Sequence, residues 1–254
     1  MCTSPILPDP RSASVPLRQR ARRLNAIATP VPENLPILPQ YFNALFRAHG
    51  EQHWWPGRTP FEIIVGAILV QNTAWLNASR AIANLRKAKL LTPSAIESVP
   101  HPKLARLIRS SGYFRQKARK LKAFVTFLRK EYRGSLAAMF RTPTATLRQQ
   151  LLAVHGIGPE TADSILLYAG KHPVFVVDAY TRRILQRHGL AAGNESYEEI
   201  RRLVEKSLPN DPQLFNEFHA LIVHTGKLYC RSRAPVCSQC ALRPLLSQPV
   251  EGSR

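Results

Sequence analysis

The sequence predicts an all-α protein, two helical lobes flanking a cleft, and three observations carry that expectation. Apolar residues recur at three- and four-residue spacings from Leu38 almost to the C-terminus. Proline and glycine stand at the joints between these segments. Only residues 174–177 read as an extended run, too little strand for an α/β sheet. With 254 residues and 44% hydrophobic content, the chain is long enough to bury a sizeable core.

Residues 1 to about 38 carry Pro5, Pro8, Pro10, Pro16, Pro30, Pro32 and Pro36 with the basic run Arg18, Arg20, Arg22 and Arg23, and no sustained apolar periodicity. This composition predicts a disordered arm. It offers nonspecific phosphate contacts or serves as a leader, and its Arg-rich, acid-poor character also resembles a transit peptide. Pro60 opens residues 61–71, apolar nearly all round, which predicts a buried central helix. Further helices are expected near 76–88, 102–110, 115–131, 144–154, 159–169, 179–188, 196–207 and 211–225. The folded domain is then 39–246, with one lobe from 60–170 and the other from 39–59 plus 171–246.

Charge narrows the function classes. Against 36 Lys and Arg stand 16 Asp and Glu, a formal net charge of +20. Between Lys103 and Arg133 a dense basic series meets a single acid, Glu131. Such an imbalance carries a self-repulsion that a polyanion relieves, so nucleic acid is the first partner to consider. A solvated basic face explains the charge alone equally well. The longest apolar stretch, 63–70, is far below the ~20 residues that span a bilayer, and the N-terminus has no apolar signal core. A cytoplasmic, nucleoid-associated monomer without membrane contact is expected.

The most informative segment is Leu151-Leu-Ala-Val-His-Gly156-Ile157-Gly158-Pro159-Glu160-Thr161-Ala162, a helix end, a two-glycine turn and a helix start. Two glycines permit positive φ and close backbone approach, and Pro159 suits a first helical position where no amide donor is needed. The open amides there favour a phosphate oxygen. About twenty residues later Val177-Asp178-Ala179-Tyr180-Thr181-Arg182-Arg183 opens another helix, where Asp178 reads as an N-cap.

Hairpin and aspartate together resemble the helix-hairpin-helix, Gly/Pro-rich loop, Asp signature of the endonuclease III superfamily of DNA glycosylases, over roughly residues 40–240. The resemblance implies a partner, double-stranded DNA holding a damaged base, and a catalytic role for Asp178: its carboxylate stabilises an oxocarbenium-like sugar or activates a water. It places Gly156, Ile157, Gly158 and Thr161 in the DNA-binding hairpin. Bifunctional members carry a Schiff-base lysine two residues after the second hairpin glycine. That position is Glu160 here, which forms no imine, so the resemblance implies a hydrolytic enzyme that leaves an abasic site. Another lysine nearby in space could substitute.

All three tryptophans fall within His53-Trp54-Trp55-Pro56-Gly57 and Gln71-Asn72-Thr73-Ala74-Trp75. These residues either pack a junction or stack a flipped base, since every base has a π-face. The segments resemble the endonuclease III-like 3-methyladenine glycosylases, which implies a base pocket of Trp54, Trp55, Pro56, Trp75 and Lys227. An electron-rich aromatic face attracts a cationic alkylated purine. Gln71 and Asn72 line that pocket or wedge into the gap the base leaves. His219, on a mostly apolar helix, reads as a core group, although it too fits this branch.

Cys230-x6-Cys237-x2-Cys240 matches the first three ligands of the superfamily's [4Fe-4S] loop, whose fourth place is Leu246. Such clusters take four thiolates, and Cys2 belongs to the arm. The expectation is a vestigial loop, with no cofactor required. A glycosylase for an oxidised or deaminated pyrimidine or a mismatched base, and a noncatalytic DNA-binding protein, stand as alternatives.

Overall fold

The computed structural model describes residues 36–246. The arm expected before residue 38 thus lies outside the described residues except at its end, where helix α1 (Ile37–His49) already begins. Among the described residues every regular element is helical, in agreement with the all-α expectation.

Helix α1 buries Leu38, Tyr41, Phe42 and Leu45 and packs on α12 (Pro212–Leu228), where Phe42 meets Phe218 edge to face. The central helix α2 (Pro60–Leu69) starts where Thr59 caps the amide of Glu62, and it is buried from Phe61 to Leu69. It stops two residues earlier than expected. The buried Lys117 ammonium takes the carbonyl of Leu69 at 2.9 Å and that of Ser111 at 2.5 Å, a cation at the negative end of the helix. Gln71 and Asn72 consequently fall in a turn, with Asn72 left-handed at φ 51°.

Helices α3 (Trp75–Lys87) and α6 (Phe114–Tyr132) pack on α2, and the short α4 (Pro93–Ser98), α5 (His101–Leu107) and α7 (Leu136–Met139) pack on α6. The short α4 and α7 were not expected, because six and four residues are too few to display a period. Their caps, Thr92 and Ser135, are legible instead. Helices α8 (Thr144–Leu152) and α9 (Pro159–Ser164) form the hairpin, and α9 runs on as a π-turn over Ile165–Ala169 where one continuous helix was expected. Helices α10 (Ala179–Arg187), α11 (Tyr197–Ser207) and α12 complete the fold.

Among the described residues the extended run 174–177 pairs with no strand. Two of its amides are met by side chains of α11: Phe175 N–H donates to Glu205 at 2.9 Å, and Val177 N–H to the Tyr197 hydroxyl at 3.3 Å; Val174 N–H donates to the His172 carbonyl at 2.9 Å. Arg148 of α8 grips the fully buried Asp163 of α9 through two bonds, at 2.6 and 3.1 Å, and reaches Glu198 of α11 at 2.5 Å. The hairpin and the run leading to Asp178 are thereby locked to one helix.

Near the base of α1, the Tyr41 hydroxyl and His188 Nδ1 stand 2.6 Å apart, both buried. Burial pushes His188 down to about 4. Below pH ~6.5 the unfolded chain protonates this ring while the native state does not, so its contribution is present above that pH and lost toward pH 4. In urea unfolding, the protein should lose up to about 3 kcal/mol more than His188→Gln between pH 7 and 4. Parallel pH profiles would contradict this.

Candidate active site and nucleic-acid interface

A cleft of about 1050 Å³ gathers Trp54, Trp55, Trp75, Glu160, Asp178 and Lys227. At its floor Asp178 opens α10 in extended conformation. Its Oδ1 accepts from Thr181 N–H at 2.8 Å and from the Thr181 hydroxyl at 3.0 Å. Its Oδ2 takes no part in the cap and lies 3.6 Å from His219 Nε2. One carboxylate thus holds a helix end with one oxygen and leaves the other for chemistry.

The hairpin divides its labour between the two glycines. Gly156 sits at φ +80°, where a Cβ would come within 2.4 Å of the Lys120 side chain. Gly158 is ordinary extended backbone at φ −92°, and a Cβ there would meet nothing within 4 Å. Only Gly156 needs the left-handed region, a correction to the reading that gave both glycines that freedom. Ile157 is buried and anchors the turn. Gln71 donates its amide to Gly156 O at 3.1 Å and to Thr161 Oγ1 at 2.8 Å, while its oxygen accepts from Lys120. Gln71 is therefore a strut between α2 and the hairpin, and Asn72 is the exposed residue of the pair, on the cleft lining.

The aromatic wall is built around Trp55, whose ring meets Trp54 at 5.6 Å, Trp75 at 5.1 Å and Tyr168 at 5.0 Å. Gly66 allows this wall to lie on α2, since a Cβ would stand 3.3 Å from the Trp55 ring. Lys227 Nζ lies 5.7 Å over Trp54; burial pushes its ammonium down, with the Asp178 charge opposing. Pro56 is exposed and outside the cleft lining, so the structure does not bring it into the pocket with its neighbours. Tyr168 was missed by the sequence reading. It sits in the π-turn, whose extra residue changes the direction of the side chains that follow.

Glu160 also lines the cleft. Although it keeps contact with solvent, the walls around it and the nearby Asp178 charge push its carboxyl up to about 7, with Arg182 opposing. Two large apolar side chains, Leu76 and Tyr113, are 60% and 68% exposed. Leu76 stands at the cleft, and the turn carrying Tyr113 is tied to α3 by Ser110 donating to Asn77 O at 3.0 Å. Neither belongs to a periodic face, so sequence gave no signal for them.

Cys230, Cys237 and Cys240 line a cavity of about 30 Å³, and Leu246 lines the same cavity. Arg187 donates to Cys230 Sγ at 3.3 Å and to Arg231 O at 2.6 Å, while Arg183 donates to Cys230 O at 2.7 Å. Three thiols, a leucine and an arginine on one of the sulfurs do not fit a four-thiolate cluster. Among the described residues no group of three or more His, Cys, Asp or Glu is arranged to hold a metal ion.

Comparison with known proteins agrees with this architecture. The family model described as HhH-GPD superfamily base excision DNA repair protein matches residues 65–210, more than half of the chain. The chain belongs to this superfamily, and it is a DNA repair glycosylase of that family. Among its relatives, "Putative DNA repair glycosylase MJ1434" of Methanocaldococcus jannaschii is 44% identical over 82% of this chain and 94% of its own length. Endonuclease III of Sulfolobus acidocaldarius is 30% identical over 73% and 81%. The structure of H. pylori 3-methyladenine DNA glycosylase (MagIII) bound to 1,N6-ethenoadenine superposes with TM-score 0.62 at 28% identity, covering 82% of this chain and 97% of that one. A trapped endonuclease III-DNA covalent intermediate shares the fold, with TM-score 0.71 at 24% identity, 82% and 93% covered.

The two glycines give a paired test. Gly156→Ala should lower stability by about 1–2 kcal/mol, as backbone strain at a left-handed site does. Gly158→Val should leave the melting temperature in place and weaken binding to damaged and undamaged duplex alike, because its side chain stands where a phosphate approaches. A Gly158 variant that unfolds, or that loses affinity on damaged DNA only, would contradict the assignment.

Proposed function

We propose that the protein is a monofunctional glycosylase that hydrolyses the N-glycosidic bond of an alkylated purine such as 3-methyladenine in double-stranded DNA. The single observation that carries this reading is the Asp178 carboxylate, fixed through Oδ1 and free at Oδ2, at the floor of a cleft walled by tryptophans.

The basic surface and the hairpin amides hold the duplex by its phosphates. The damaged base turns out of the stack and lies against the rings of Trp55 and Trp75, where stacking offsets the lost pairing. As the bond from C1′ to the base nitrogen breaks, its electron pair leaves with the base and positive charge gathers on the sugar. The Asp178 carboxylate stabilises that charge in a site with little water. Water then forms the new C1′–O bond and gives up a proton, which Asp178 or solvent accepts, leaving an abasic site. Glu160, standing where a nucleophilic lysine would, offers no amine for an imine.

The likeness to MagIII supports an alkylated purine as substrate. Lys227 favours a second reading of the lesion: an ammonium over Trp54 disfavours a cationic base and suits a neutral purine adduct with ring-nitrogen acceptors. For the cysteine loop, the donor set supports a loop held by Arg183 and Arg187 without a [4Fe-4S] cluster.

A panel of duplexes, each with one lesion, separates these readings when assayed with and without alkali. Release of 3-methyladenine or a neutral purine adduct, with nicking only after alkali and little borohydride-trapped adduct, is expected. Preferential release of an oxidised pyrimidine, uracil or a mismatched base would overturn the substrate, and efficient trapping would overturn the monofunctional assignment. Stoichiometric iron and sulfide in anaerobically purified protein would overturn the cluster-free loop.

A further inference from the structure

Behind Asp178 lies a polar pair that the hydrolytic scheme above does not use. Tyr168, in the π-turn, and His219, on α12, are both buried, and the Tyr168 hydroxyl stands 2.7 Å from His219 Nδ1. Phe175 and the Tyr168 ring pack against the imidazole at about 6 Å. The other ring nitrogen, Nε2, is buried without a hydrogen-bond partner. It points toward Asp178 Oδ2 at 3.6 Å, just beyond hydrogen-bond reach. A buried nitrogen left unpaired carries a desolvation cost, and the anionic oxygen it faces is the group that offsets it.

The direction of the pair follows from its charges. Asp178 is faced by His219 and Lys227 from α12 and by Glu160 from α9, with Arg182 on its own helix. His219 is faced by Tyr168, Asp178 and Lys227. Burial pushes the imidazole down, the Asp178 charge opposes and the Lys227 charge adds, so the ring is neutral near pH 7 and carries one N–H. With that proton on Nδ1, the Nε2 lone pair would oppose the lone pairs of a carboxylate. With it on Nε2, Tyr168 donates to Nδ1 and the N–H faces Oδ2. The second arrangement pairs Nδ1 with the Tyr168 hydroxyl and turns the remaining N–H toward the anionic oxygen, and the π-turn places the hydroxyl that selects it.

We propose that His219, held in its Nε2–H form by Tyr168, is a positioning residue that supports the free oxygen of Asp178. The inference rests on the catalytic reading of Asp178. As positive charge develops on the sugar, Oδ2 must stay aimed at C1′, and an N–H 3.6 Å behind it attracts the anionic oxygen and opposes rotation of the carboxylate about its Cβ–Cγ bond.

The test needs no knowledge of the lesion. Duplex DNA with a cationic pyrrolidine in place of one sugar mimics the developing charge, and the same duplex with a neutral tetrahydrofuran is its control. Wild-type protein should prefer the cationic duplex. His219→Phe, which keeps a packed ring, and Tyr168→Phe, which removes one oxygen, should lower the preference several-fold at pH 7. His219→Gln, with an acceptor for Tyr168 and a donor for Asp178, should restore much of it. Affinity for the neutral duplex should change little.

If Asp178→Asn abolishes the preference while both phenylalanine variants keep the wild-type preference, the role of His219 is overturned and that of Asp178 stands. If His219→Phe weakens both duplexes equally, or His219→Gln rescues nothing, the residue is structural and the proposal fails. Tyr168→Phe carries the test should His219→Phe not fold. A wild type without any cationic preference would sink the reading of Asp178 itself.

Discussion

The site depends on how four extended residues find partners for their amides. Residues 174–177 lead into Asp178 without a neighbouring strand, and buried amides left unpaired would each carry a cost of about 1–3 kcal/mol. Helix α11 supplies Glu205 and Tyr197 for two of them, those of Phe175 and Val177. The same helix is bound through Glu198 to Arg148, which grips the buried Asp163 of the hairpin. Truncating one partner of such a buried pair costs about 3–5 kcal/mol, so the connection is stiff. Hairpin and aspartate therefore hold a fixed mutual position. This is how a two-glycine turn and a cleft carboxylate about twenty residues apart in sequence come to stand on one rigid frame.

Electrostatics act on two scales. The net charge of +20 draws a polyanion from a distance. Inside the cleft the balance is close: Asp178 and Glu160 share the space with Lys227 and Arg182, and burial, with the Asp178 charge beside it, pushes the Glu160 carboxyl up to about 7 while Arg182 opposes. Near neutral pH the cleft therefore carries less negative charge than two ionised carboxylates would give it.

Much of this was legible in the sequence where local rules dominate. Apolar spacing marks the long helices, Pro159 after a glycine marks the hairpin, and Asp178 before Ala179 marks both a cap and a candidate carboxylate. What stayed hidden was set by distant contacts. Gln71 reads as a free wedge until Lys120, Gly156 and Thr161 claim its amide. Lys117 reads as one more basic residue on α6, yet its ammonium ends α2. Tyr168 reads as a buried helix position, and only the π-turn sets it beside Trp55 and His219. Gly158 reads like Gly156, because a sequence does not distinguish a glycine kept for φ from one kept for approach.

The central claim is that a single side chain caps α10 with one oxygen and performs chemistry with the other. Asp178→Asn separates the two roles, since the amide keeps an oxygen for the Thr181 N–H and loses the negative charge. The decisive measurement is single-turnover base release by this variant, read beside its melting temperature and its affinity for the same lesion duplex. The account predicts a rate lower by about a hundred-fold or more with folding and affinity nearly unchanged. Base release at the wild-type rate, or a variant that unfolds, would reduce Asp178 to a helix cap and contradict the account.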